Sequence, residues 1–173
     1  MATFDLAVLF LGLAVGLTFA AHGAQKAFGW WGGPGMAGWQ GAMEHMGFRP
    51  ARLFALVSMG AELVGGLFLA IGFLTPLAAA VLVAQSTVII LQVHLPKGFW
   101  TAKGGIEFAL QLGIGALVVG LLGRGAVSLD GALGWTFGTA IRADLLVVGL
   151  LAGVISVAIP RLGSHNRPAP QAG

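Results

Sequence analysis

An all-α polytopic membrane protein, a four-helix bundle followed by a fifth C-terminal transmembrane helix, is the fold class this sequence predicts. Three observations carry that prediction. Only nine basic and six acidic residues occur in 173, while 57% of the chain is hydrophobic; a soluble domain carries about 25% charged residues. The apolar residues fall into five segments, each close to the roughly 20 residues needed to cross ~30 Å of hydrocarbon. The chain also holds 29 glycines, and small residues let helices approach closely in lipid.

The first segment runs from Leu6 to Gly23. It lacks a basic leader and a small-residue cleavage pattern, so it reads as a retained helix rather than a signal peptide. The second, Ala51 to Gly72, is interrupted by Glu62. "GFLTP" (Gly72 to Pro76) reads as a tight turn, because glycine can end a helix and proline suits a first turn. The third segment spans Leu77 to Leu95, the fourth Gly104 to Leu122 and the fifth Ala143 to Ile159. From Pro160 the chain turns polar and proline-rich, and 161–173 reads as a disordered tail. The organisation is therefore a four-helix domain over 1–131, an added helix over 132–160 and the tail.

The connection after the first segment is unusual. Residues 28–47 are too polar and glycine-rich to span, yet contain Trp30, Trp31, Trp39 and three methionines. Tryptophan concentrates at membrane–water interfaces, so this stretch is expected to lie at the headgroups or to cap the bundle. Glycine pairs at Gly12/Gly16 and Gly149/Gly153, with Gly65–Gly66 and Gly113/Gly115, point to close helix contacts.

Charge fixes the expected orientation. Lys26, Arg49, Arg52, Lys97, Lys103, Arg161 and Arg167 fall on one side of a five-span chain, Arg124 and Arg142 on the other. The positive-inside rule then puts the N-terminus outside and the C-terminus in the cytoplasm. A net charge of +3 makes no basic patch for nucleic acid. With no cysteine, thiolate catalysis and thiolate-held metal are excluded.

Polar side chains within spans are costly and mark function by default. His22, Gln25 and Lys26 share a helical stripe at the end of the first segment. His94 closes the third, and Lys103 and Glu107 open the fourth. Alternating spans bring all of these to one face of the membrane. Glu62 stands apart, about 16 Å into its helix at 1.5 Å per residue, with no partner readable from the sequence. Lys103 and Glu107, four apart, are spaced for an ordinary ion pair. A haem iron between His22 and His94 is disfavoured, since no second histidine pair or cytochrome motif accompanies them. Gln85 and Gln92 share one face of the third segment, and Thr87 and His94 roughly the opposite one; one stripe is expected to face the bundle interior and the other could meet another subunit.

"HGAQKAFGWWGGPG", "AELVGG", "GFLTP", "VHLPKGFW", "GGIEFAL" and "SLD", in that order, resemble the DoxX family of bacterial membrane proteins over about residues 5 to 131. The resemblance implies a four-helix membrane bundle. It also places His22, Lys26, Glu62, His94 and Glu107 at the family's characteristic polar positions. The family includes relatives of the membrane subunit of an archaeal thiosulfate:quinone oxidoreductase, and another member resembles a partner in a mycobacterial oxidative-stress complex. The fifth helix exceeds the family pattern and reads as an added partner-binding element.

Two functions follow as expectations. One is a membrane subunit of an oxidoreductase complex at the bacterial plasma membrane, anchoring partner subunits. In it His22, Gln25, Lys26 and His94 would hold a quinone headgroup, and Glu62 and Glu107 would relay protons. The other is a non-catalytic scaffold or assembly subunit, in which the same residues fix helix packing. Membrane lipid, partner subunits and a second copy of the chain are the expected contacts; no metal ligand set is seen.

Overall fold

The computed structural model describes residues 3–164, with side chains to residue 158. Among these residues the chain is helices and their connections, with no strand. Five long helices form the bundle: α1 (Thr3–Phe28), α3 (Ala51–Ile71), α4 (Thr75–Ile89), α5 (Glu107–Leu122) and α7 (Thr139–Ser164). Two short ones, α2 (Gly35–His45) and α6 (Leu129–Ala132), lie at opposite ends. α4 continues through one π turn, Ile90–His94, and a 3-10 turn, Leu95–Lys97. Four of these helices are long and apolar enough to cross a membrane; α5, with 16 residues, is shorter.

Contacts along the helices nevertheless give all five alternating directions. Gly16 of α1 lies against Gly66 and Ala70 of α3, and Gly23 against Leu63, so these two helices are antiparallel. Gly113 and Gly120 of α5 lie against Ser86 and Ala79 of α4, again antiparallel. Gly149 and Gly153 of α7 meet Ala80 and Ala84 of α4, which makes that pair parallel. α5 is thus the return stroke between α4 and α7.

The expected glycine contacts have two different uses. Gly16 and Gly66 bring α1 and α3 together: a Cβ on Gly66 would sit 2.6 Å from the Gly16 carbonyl oxygen, closer than packed atoms tolerate. Gly149 and Gly153 do the same for α7 on α4. Gly12 instead makes room for the side chain of Arg124. The core joins Val15 and Phe19 of α1, Leu69 of α3, Leu82 of α4, Val119 of α5 and Leu146 of α7. α7 is therefore packed into the bundle, and the Thr87 face of α4 meets α7 of the same chain at Gly153. Outside, Leu53, Val57, Leu67, Val148, Leu151 and Ile155 are exposed, the apolar belt expected of a chain solvated by lipid.

The "GFLTP" turn forms as read. Gly72 ends α3 at φ 68°, ψ 49°, and Pro76 stands in the first turn of α4. α7 extends to Ser164, so its last turn takes in Pro160 to Ser164, the start of the stretch read as tail. The rest of that tail lies outside the described residues.

A buried ion pair in a cavity at one end of the bundle

α1 stops at Gly29, whose φ of 74° is a left-handed conformation natural to glycine. Its amide closes on the Gln25 carbonyl at 3.1 Å. The chain then turns through Trp30–Gly32 into α2, which lies against α1 and α3. Met43 of α2 packs with Phe48 and Ala55. Residues 35–48 therefore cap the bundle. Trp30 and Trp31 remain exposed with Phe28, whereas Trp39 turns in over Lys26, with Nζ 4.3 Å from its ring.

Because Gly23 lets the α1 backbone settle on Leu63, the next turn of α1 comes level with Glu62. Lys26 Nζ donates to Glu62 Oε1 at 2.5 Å. Their side chains are 12% and 1% exposed. A buried carboxylate without a partner is costly, and Lys26 supplies that partner. Gln85 Nε2 donates to the same oxygen at 3.2 Å and to Ser58 Oγ at 2.7 Å. One polar chain thus links α1, α3 and α4.

A cavity of about 220 Å³ adjoins this pair, lined by His22, Lys26, Trp39, Glu62, Ser86 and His94, with Phe19, Ile89, Phe108 and Leu112 among its apolar walls. Glu62 Oε2, Trp39 Nε1 and Ser86 Oγ are buried without a hydrogen-bond partner. Three orphaned polar atoms on one cavity wall are unusual, since buried polar groups are nearly always bonded. His22 Nδ1 lies 3.1 Å from Gln25 Oε1, and His94 Nδ1 lies 2.6 Å from the Gly104 carbonyl. The Gly104 backbone carbonyl only accepts, so His94 donates to it from Nδ1. His22 also meets the Phe108 ring edge-on at 5.7 Å.

The sequence-predicted residues divide here. His22, Lys26, Glu62 and His94 converge on one cavity. Gln25 is not on its wall; it orients His22. Glu107 lies away from it, with Oε2 accepting from the Thr101 amide at 3.0 Å. The expected Lys103–Glu107 ion pair does not form, because Lys103 belongs to a separate 3-10 turn, Thr101–Lys103, and α5 begins only at Glu107. Trp39 and Ser86 are cavity residues that sequence reading missed: tryptophan was assigned to the interface, and an apolar helix gives no sign of which serine faces inward. Gln85 was legible as part of a polar stripe with Gln92, but not as a partner of Glu62.

A second cavity of about 110 Å³ shares Trp39, Ile89 and Val93 with the first and is walled by Met43, Met46, Phe48 and Phe54.

The fold and this site define an all-α, multi-pass membrane protein with a charged pair held inside its bundle. The DoxX family model matches residues 7–95, which is just over half of the 173. The chain belongs to the DoxX family. The matched stretch holds His22, Lys26, Glu62 and His94 and stops before Glu107. No curated protein and no solved structure matches the chain.

Proposed function

We propose that this DoxX-family protein is the quinone-interacting membrane subunit of an oxidoreductase complex in the bacterial cytoplasmic membrane. The Lys and Arg distribution argues for the cavity end in the cytoplasm, with the N-terminus outside. The observation that carries the reading is the convergence of Lys26, Glu62, His22, His94, Trp39 and Ser86 on one otherwise apolar cavity. Its ~220 Å³ falls below the ~300–1,000 Å³ of pockets that enclose drug-sized ligands, and suits a headgroup rather than a whole lipid. The methionine- and phenylalanine-walled cavity beside it suits the first part of an apolar tail.

A quinone supplies two carbonyl acceptors and takes up two electrons and two protons on reduction. The electrons come from a redox centre in a partner subunit. This chain provides donors: Lys26 Nζ, Trp39 Nε1 and the Ser86 hydroxyl for the carbonyls. It also provides proton carriers in His22, His94 and the Lys26–Glu62 pair. Glu62 Oε1 holds Lys26 in place, and the unpartnered Oε2 can accept a proton from the cavity. Glu107 is outside this path.

A second reading, a non-catalytic scaffold, draws on the Ser58–Gln85–Glu62–Lys26 chain, which ties three helices together. The test is Glu62→Gln in the assembled complex. A proton-handling Glu62 gives normal assembly, retained quinone and turnover reduced by about 10²-fold or more. Unchanged turnover with normal assembly leaves the scaffold reading standing and removes the catalytic one.

A further inference from the structure

At the opposite end of the bundle, two guanidinium groups stand without an ion-pair partner among the described residues. Arg124 is 3% exposed. It donates from Nη1 to Leu69 O at 3.1 Å and from Nη2 to Ala70 O at 3.0 Å, carbonyls in the last turn of α3. Arg142 Nη1 donates to Leu121 O and Leu122 O, at 3.3 and 2.7 Å, at the end of α5. Neither arginine joins an ion pair among the described residues. Asp130 stands nearby, but its oxygens accept from Leu74 N, Thr75 N and Thr75 Oγ1. Nε of both arginines is buried without a partner.

Arg124, Arg142 and Asp130 line one cavity of about 330 Å³. Glycine backbone backs both cations: a Cβ on Gly12 would collide with the Arg124 guanidinium, and one on Gly123 would lie 3.0 Å from Arg142 Cζ. A helix C-terminus offers only about half a negative charge, so capping α3 and α5 leaves each guanidinium without a full counter-charge in contact; Asp130 on the cavity wall and Asp5 beside Gly125 stand at the same end without pairing with either. Buried charges ordinarily find a counter-charge. Burial pushes the Arg124 pKa below its ordinary value, yet a guanidinium stays protonated in proteins. A guanidinium has five N–H groups in a fork that matches phosphate oxygens. Arg124 uses two of its own on carbonyls.

We propose that this cavity is an oxyanion site, taking a phosphate-class group between Arg124 and Arg142. The group arrives either as a free inorganic anion or as the phosphate of an anionic phospholipid headgroup. The site is independent of the quinone reading, since it lies at the other end of the bundle and shares no residue with that cavity.

The experiment is thermal unfolding of the full chain in detergent, titrated in separate arms with inorganic phosphate and with phosphatidylglycerol. Chloride at matched ionic strength and phosphatidylcholine are the references. A ligand that binds only the folded form raises the midpoint saturably, and a rise of a few degrees is expected in at least one arm. Response to phosphate alone identifies a free anion, and response to phosphatidylglycerol alone a headgroup. Arg142→Gln should weaken the apparent affinity about tenfold or more, and Arg142→Lys less. Arg49→Gln, at an exposed position on the far end, should leave it unchanged. Absence of a saturable response in wild type overturns the proposal, as does one that Arg142→Gln fails to weaken.

Discussion

At the cavity end, Lys26 meets Glu62 side chain to side chain, and Trp39, Ser86 and both histidines stand around them. At the other end, Arg124, Arg142 and Asp130 bind backbone: two cap the carbonyl ends of α3 and α5, and the third caps the amide end of α4. The difference is one of reversibility. A Lys–Glu pair can lose a proton, rearrange around a ligand and re-form without disturbing a helix. A side chain bound to a helix terminus cannot let go without leaving orphaned backbone groups. The first end is therefore the one suited to the proposed proton chemistry, whereas the second ties helix termini together.

The largest test of this contrast is Lys26→Met. It strands Glu62 in the bundle and should cost about 3–5 kcal/mol in unfolding, while Lys26→Met with Glu62→Leu should recover most of that. A double variant as unstable as the single would mean that the pair's charge is not what matters. Asp130→Ala comes next, at roughly 2–3 kcal/mol, because the Leu74 and Thr75 amides lose their acceptor. Its quinone content should match wild type; lost quinone would show the two ends to be coupled. Gly66→Ala should cost about 1–3 kcal/mol by pushing α1 off α3, and should also weaken the Lys26–Glu62 contact, read as lowered turnover. Glu107→Gln should be the mildest, under about 1 kcal/mol, with activity unchanged. A large loss of turnover there would return Glu107 to the proton path.

The helices were legible because apolar length and glycine punctuation act locally, and the Gly72–Pro76 turn follows from residue chemistry alone. Four of the predicted site residues were legible too, since His22, Lys26, Glu62 and His94 are polar in an apolar chain. Their pairing was not. Glu62 was read as deeper than Lys26 on the assumption that helix ends align, and the structure staggers α1 against α3 at Gly23–Leu63. Stagger is a property of the packed pair and leaves no local mark. Trp39 shows the same gap from another side: its class suits a headgroup belt, while its cation–π contact with Lys26 depends on where α2 folds back. The caps made by Arg124 and Asp130 join residues 54 to 56 positions apart, beyond any motif spacing.

The π turn at Ile90–His94 has a consequence for how this site can change over time. Such a turn holds one residue more than the α ladder around it. The widened turn absorbs that extra residue, so losing one residue between Ile90 and Val93 would restore a regular helix and leave His94 close to the face from which it now meets the Gly104 carbonyl. The lower part of α4, its packing on α7 and the pair at Glu62 would be untouched. The turn can thus take up a one-residue change in the length of α4 while the imidazole stays on the cavity wall.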